Sequence, residues 1–199
     1  MPRAGLAPAA VTEAGAALAD ERGFDQLSMG VLAERLGVRP PSLYKHVDGL
    51  ADLSHRIAVL AADQLADTLR GATQGLAGGD ALVAAARAVR QFVREHPGRY
   101  AATLGARPTG PDDAYAAATG RVLESLAAVL RGYGIDPGQE VHALRMLRSS
   151  LHGFATLEVG GGFQMATDVE ESFGWMVGFV DRGLRATAAG GRDRVPRTA

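Results

Sequence analysis

The chain has 199 residues, with 21 Lys or Arg against 22 Asp or Glu, a formal net charge of −1 and no cysteine. At roughly 150 residues per domain this allows one domain, or a small module joined to a larger one, and excludes a solenoid array or a large multidomain enzyme. With 47% hydrophobic residues the chain can bury a core, while the missing thiols exclude disulfides, iron–sulfur clusters, thiolate metal sites and a cysteine nucleophile.

No run approaches the ~18 uninterrupted apolar residues of a membrane span. Near the N-terminus, Arg3 is followed by Ala-rich sequence and then by Glu13 and Asp20, without the basic segment and apolar core of a secretory signal. The expected location is the cytoplasm, with no membrane partner. The 20 Arg against one Lys, the absence of Asn and the 37 Ala fit a GC-rich coding sequence and argue against weighting any single arginine.

Nearly every periodic segment repeats at about 3.6 residues, and no alternating strand or Asn-Gly hairpin is found, so the predicted fold is all-α with about nine helices. The first helix spans about 8–22, with Val11, Ala14 and Leu18 on one face and Gly23-Phe24 at its end. Ser28 can cap a second short helix carrying Val31, Leu32 and Leu36, closed by Gly37-Val38. Pro40 suits the first turn of a third, with Leu43 and Val47 inward. Asp48 is the expected cap of a long fourth helix through Leu53, Ile57, Leu60, Leu65 and Leu69, ending in the glycines from 71 to 79. Asp80 starts a fifth, stopped by His96-Pro97, and a short sixth carries Tyr100 and Leu104. Gly110-Pro111-Asp112-Asp113 places proline at the first position and acids in the first turn of a seventh helix. Asp136-Pro137 opens an eighth, and the last runs from about Asp168 to Arg185. Residues 188–199 are rich in Gly, Arg and Pro without periodicity and are expected to form a disordered tail. The chain divides into a three-helix head at 1–47, a larger helical bundle at 48–187, and that tail.

Residues 28–47, SMGVLAERLGVRPPSLYKHV, fit a helix-turn-helix, a short capped helix, a turn at Gly37 and a second short helix. Between Arg35 and Val47 stand Arg35, Arg39, Lys45 and His46 with no acid, whereas residues 1–50 as a whole hold five Lys or Arg against six acids. The positive charge is thus focused at one helix pair, as contact with phosphates requires.

The stretch Val11–Leu53 resembles the DNA-binding head of the tetracycline-repressor family. Its most specific elements are Gly23-Phe24 before Leu27-Ser28, then Leu32-Ala33-Glu34-Arg35-Leu36-Gly37-Val38, then Ser42-Leu43-Tyr44-Lys45-His46-Val47. The run Leu147–Phe163, LRSSLHGFATLEVGGGF, also resembles a branch of that family with a His-Gly-Phe stretch before a glycine-rich turn. The resemblance implies a homodimer whose paired heads enter successive major grooves of an operator, a helical domain holding a small-molecule pocket, and loss of DNA affinity when the effector binds. It implies that Ser28 caps the second helix and donates to a phosphate, that Arg39, Pro40, Ser42 and His46 lie at the groove, and that Tyr44 and Lys45 meet backbone phosphate. Two departures stand out. Leu50 replaces a lysine common in the family, and Arg39 occupies the place of a Ser or Thr cap, which makes it the candidate for reading a base edge, most simply guanine.

An enzyme and a helical adaptor are the alternatives. Ser149 and Ser150 lie near His152, but on one helix and without a nucleophile elbow. His142 and His152 with Glu158 are residue types that ligate metals, yet ten residues of helix separate the imidazoles by about 15 Å. No cofactor, catalytic residue or metal ligand is assigned. The expected pocket draws on Phe92, Tyr100, Leu104, Met146, His152 and Trp175. The two last long helices are expected to pair with their copies through Leu151, Phe173, Val177, Val180 and Leu184, with effector identity and operator sequence open.

Overall fold

The computed structural model describes residues 6–192 of the chain. Among them are eight α-helices, α1 (Pro8–Arg22), α2 (Met29–Arg35), α3 (Leu50–Thr73), α4 (Gly78–Glu95), α5 (Pro97–Gly105), α6 (Ala114–Arg131), α7 (Pro137–Val159) and α8 (Val169–Arg192). Two 3₁₀ segments, Phe24–Gln26 and Pro40–Lys45, complete the described elements, and no strand occurs among the described residues. The all-α expectation holds. No helix among the described residues is long and apolar enough to cross a membrane.

Local signals set most boundaries. Ser28 caps α2, its hydroxyl oxygen accepting from the Val31 amide at 3.3 Å. Gly37, at φ 64°, closes the helix: its amide donates to Glu34 O and the Val38 amide to Ala33 O, both at 3.0 Å. This paired-bond C-cap needs the left-handed conformation that glycine adopts without steric penalty. Asp136 caps α7 through the Gly138 amide at 2.7 Å.

Elsewhere the structure corrects the expectation. Asp52, not Asp48, satisfies the start of α3, its carboxylate accepting the Asp48 amide at 2.9 Å. An acid in the first turn reaches back as in a capping box, and a residue before a turn does not have to reach forward. Pro111 and Asp112 precede α6, and Asp113 caps it, accepting from the Tyr115 amide at 2.7 Å. The helix α8 continues to Arg192, beyond the predicted tail boundary at 188, because Ala186, Ala188 and Ala189 are strong helix formers. The rest of that tail, 193–199, lies outside the described residues.

The chain forms two compact units that are not contiguous in sequence. One comprises residues through Gln64 with Glu95–Thr119, and the other Leu65–Arg94 with residues from Gly120 on. The division falls within α3 and α6, and so differs from a head ending at residue 47.

In the first unit Val11, Leu18, Leu32, Leu43, Val47, Leu53 and Ile57 are buried to 1% exposure or less and pack as one core with Ala102 and Tyr115. Behind the core α5 crosses α1, and Arg99, 7% exposed, locks the crossing. Its Nε donates to Asp20 Oδ2 at 2.8 Å, Nη2 to Glu13 Oε1 at 2.7 Å and Nη1 to Gln64 Oε1 at 3.0 Å. A buried cation is tolerated only when its donors are satisfied in this way.

In the second unit Arg90 plays the matching part. It is 8% exposed, donates through Nε and Nη2 to Glu158 at 2.7 and 2.8 Å and through Nη1 to Glu170 at 2.5 Å. Its guanidinium carbon lies 4.4 Å from the centroid of Phe173. One side chain thereby ties α4 to α7 and α8, with charge, hydrogen bonds and ring contact acting together.

Candidate nucleic-acid interface

The segment Pro40–Lys45 is held by two side chains and exposes the rest. Leu43 and Val47, at 0% and 1% exposure, anchor it to the core. Arg39 stands before it with extended backbone, φ −79° and ψ 143°, the conformation imposed on a residue preceding proline. Pro40 and Pro41 then occupy the two first positions, where no helical amide is missed. The expected third helix is therefore a 3₁₀ segment of six residues, closed by His46 and Val47 amides that both donate to Leu43 O.

Tyr44 is 56% exposed, so its ring takes no part in the core. Arg39, Pro40 and Lys45 are exposed, and Ser42, His46 and Ser28 half-buried. Among the described residues the side chains of Arg39, Ser42, Tyr44, Lys45 and His46 make no hydrogen bond or ion pair. Ser28 uses an oxygen lone pair as its cap and keeps its O–H to donate. The surface thus carries two permanent cations, three hydroxyls and an imidazole, all available to an anionic or polar partner. Leu50, 41% exposed at the start of α3, adds no charge.

One member of the expected basic run behaves differently. Arg35 is turned onto Glu21 of α1, and each holds the other's charge, raising the guanidinium and lowering the carboxyl from their ordinary values through the hydrogen bond they share. Linear sequence hides this, since the partners are 14 positions apart.

The expected pocket residues do not gather in one unit. Tyr100 and Leu104 belong to the first, Phe92, Met146, His152 and Trp175 to the second. Phe92 is buried, whereas Leu104, Met146 and Trp175 are 47%, 39% and 68% exposed. The expected interface residues Leu151, Phe173, Val177, Val180 and Leu184 are 2–6% exposed within a single chain, because the apolar stripe they form on α7 and α8 is consumed by the unit's own core. A second apolar set on α8 faces out: Trp175 and Phe179, 68% and 59% exposed, stack with centroids 5.4 Å apart and rings inclined by 14°. Sequence periodicity registers the inner stripe and passes over this shorter outer pair.

Comparison with known proteins agrees with this architecture. Residues 11–53 match the family of bacterial regulatory proteins of the tetR type, and residues 82–180 match a tetracyclin repressor-like C-terminal domain. The chain is 36% identical over 156 residues, 78% of its length and 72% of the relative's, to the uncharacterized HTH-type transcriptional regulator Rv0681 of Mycobacterium tuberculosis. It is 31% identical over 180 residues, 88% of its length and 91% of the relative's, to the uncharacterized HTH-type transcriptional regulator YobS of Bacillus subtilis. Among solved structures, a TetR variant from Acinetobacter baumannii in complex with minocycline aligns at TM-score 0.62 and 25% identity, over 96% of this chain and 99% of that one. The structure of BioQ with its natural double-stranded DNA operator aligns at TM-score 0.67 and 22% identity, over 91% and 99%. Matched at both ends by the family's own domains and over most of its length by named regulators, the chain belongs to the TetR family of DNA-binding transcriptional regulators.

Proposed function

We propose that the protein is a homodimeric repressor that binds a palindromic operator through the Pro40–Lys45 segment and leaves it when a small molecule binds. The observation that carries the reading is the row Arg39, Ser42, Tyr44 and Lys45, exposed or half-exposed beside a buried Leu43 and without partners among the described residues. In this reading Lys45, Tyr44 and Ser28 hold backbone phosphate, Arg39 reads a base edge in the major groove, and Pro40, Ser42 and His46 line the groove. Residues 1–47 are the DNA-reading part, and 48–187 serve dimerisation and effector binding. The BioQ–operator and TetR–minocycline complexes support both activities by likeness of fold.

For the dimer, the exposed Trp175–Phe179 stack on α8 is the surface that a second copy covers. For the effector, Phe92, Met146 and His152 are the nominated contacts that share a unit. A regulator fits the polar residues better than an enzyme does: the Ser150 hydroxyl donates to Met146 O on its own helix at 3.0 Å, and Glu158 is engaged by Arg90.

A mobility-shift titration with DNA from upstream of the protein's own gene tests the reading. A single shifted species with two protein copies per site is expected, released by a small hydrophobic compound that also raises the melting temperature. Failure to discriminate that DNA from random sequence at physiological salt would overturn it.

A further inference from the structure

Within the first unit, α3, the Phe24–Gln26 segment and α5 enclose a cleft of 310 Å3 with Phe24, Ala51, Ala102, Gly105 and Ala106 as its apolar walls. That volume lies at the small end of the ~300–1,000 Å3 typical of ligand sites. The remaining lining residues, Ser54 and His55, are adjacent on α3 and half-buried. Ser125 and Ser150 give their hydroxyls to the carbonyl four residues back on their own helices. Ser54 makes no such bond, nor any other among the described residues.

The His55 ring is fixed by what lies behind it. Its Nε2 is 3.0 Å from Asp113 Oδ1, and Tyr115 packs edge-on with centroids 5.9 Å apart. The Asp113 side chain, 3% exposed, accepts from the Thr109 hydroxyl at 2.5 Å and from the Thr109 and Tyr115 amides at 2.7 Å. These donors, the Thr109 hydroxyl foremost, hold the carboxyl far below the ordinary carboxylate range. A carboxylate only accepts, so the shared hydrogen sits on Nε2 of the neutral ring, and Nδ1 is left as an acceptor.

An apolar cleft with one hydroxyl and one imidazole acceptor side by side selects a particular chemistry. An anionic ligand is disfavoured by the fixed charge of Asp113 behind the ring, and no carboxylate lines the cleft to receive a cation. We propose that this cleft binds a small neutral molecule with an apolar ring and a single hydroxyl, a phenol or cyclic alcohol, whose O–H donates to His55 Nδ1 and whose oxygen accepts from the Ser54 hydroxyl. The site shares no residue with those nominated for the effector, and its occupancy does not depend on DNA binding.

Calorimetric titration of the full chain with p-cresol, and with toluene as the hydroxyl-free comparator, tests this without DNA. Saturable p-cresol binding is expected, with toluene weaker by about tenfold. At Gly105 an added Cβ meets nothing within 4 Å, so Gly105→Leu fills the cleft in a folded protein and should abolish binding. Ser54→Ala should weaken p-cresol several-fold while leaving toluene unchanged. Absence of saturation up to the solubility limit, equal affinity for the two compounds, or p-cresol binding retained in a folded Gly105→Leu protein would each overturn the assignment.

Discussion

Gly98 of α5 lies so close to Ala19 of α1 that a Cβ built on it would stand 2.1 Å from the Ala19 carbonyl carbon and oxygen. Contact at that distance with backbone cannot be relieved by turning a side chain. Gly98→Ala should therefore force the two helices apart and strain the Arg99–Asp20 bonds formed one residue later. A loss of about 3 kcal/mol is expected, close to 10 °C in melting temperature. A melting temperature within a few degrees of the unmodified protein would show that the crossing is not held this tightly.

The Arg35–Glu21 pair conceals a cation from any polyanion. Replacing Glu21 by Gln should free it, tightening non-specific DNA binding and steepening the log–log salt dependence by about one. Arg35→Ala should leave the salt slope unchanged, since the charge removed is already neutralised. Salt titrations of both variants by fluorescence anisotropy distinguish these outcomes.

Lys45 and Arg39 should separate in their effects. Lys45→Ala is expected to weaken binding to all sequences alike and to lower the salt slope by about one. Arg39→Ala should cost about 1–3 kcal/mol on the operator and relax preference at one position per half-site. Equal losses on operator and random DNA for Arg39→Ala would remove it from base reading.

Arg90 predicts a pH dependence. Its hydrogen bond and charge, opposed by burial, hold the Glu158 carboxyl below its ordinary value. A group depressed on folding stabilises above its unfolded pKa, and that contribution fades as pH falls through the lower folded value. Melting temperature should fall steeply below about pH 4.5 in the unmodified protein. Arg90→Met should be destabilised by about 3 kcal/mol at pH 7, having left Glu158 without its counter-ion, and should show a shallower decline in acid. Parallel acid profiles for the two proteins would count against the coupling.

Two substitutions on α8 test which face meets a second copy. Trp175→Glu should give folded monomers with weak operator affinity, because the ring is exposed and its loss opens no cavity. Val180→Asp, at a position 5% exposed, should instead unfold the second unit by burying a charge. Light scattering alongside circular dichroism reads both. A dimeric Trp175→Glu protein would move the interface elsewhere.

What sequence made legible was whatever depends on near neighbours. The Ser28 cap, the Gly37-Val38 closure and the inward positions of Leu43 and Val47 follow from spacing and backbone preference within a few residues. Arg90 and Arg99 could not be singled out, since their partners lie 68 to 86 positions away and a buried arginine has no local signature among 20 arginines. For α8, periodicity found the apolar stripe but could not say whether the chain's own core or another molecule covers it. Val177 and Val180 face the former, and only the fold shows that Trp175 and Phe179 are left outside.

The pair Pro40-Pro41 has a consequence for the thermodynamics of recognition. Each pyrrolidine ring fixes its φ near −65°, and Arg39 is confined to extended geometry by the proline after it. Three consecutive residues therefore enter any encounter with their backbone already restricted, where flexible residues would each surrender about 1–2 kcal/mol of conformational entropy at 25 °C. The shape of the segment's leading edge is written into covalent rings rather than into packing, and it persists even when thermal motion loosens the helices behind it.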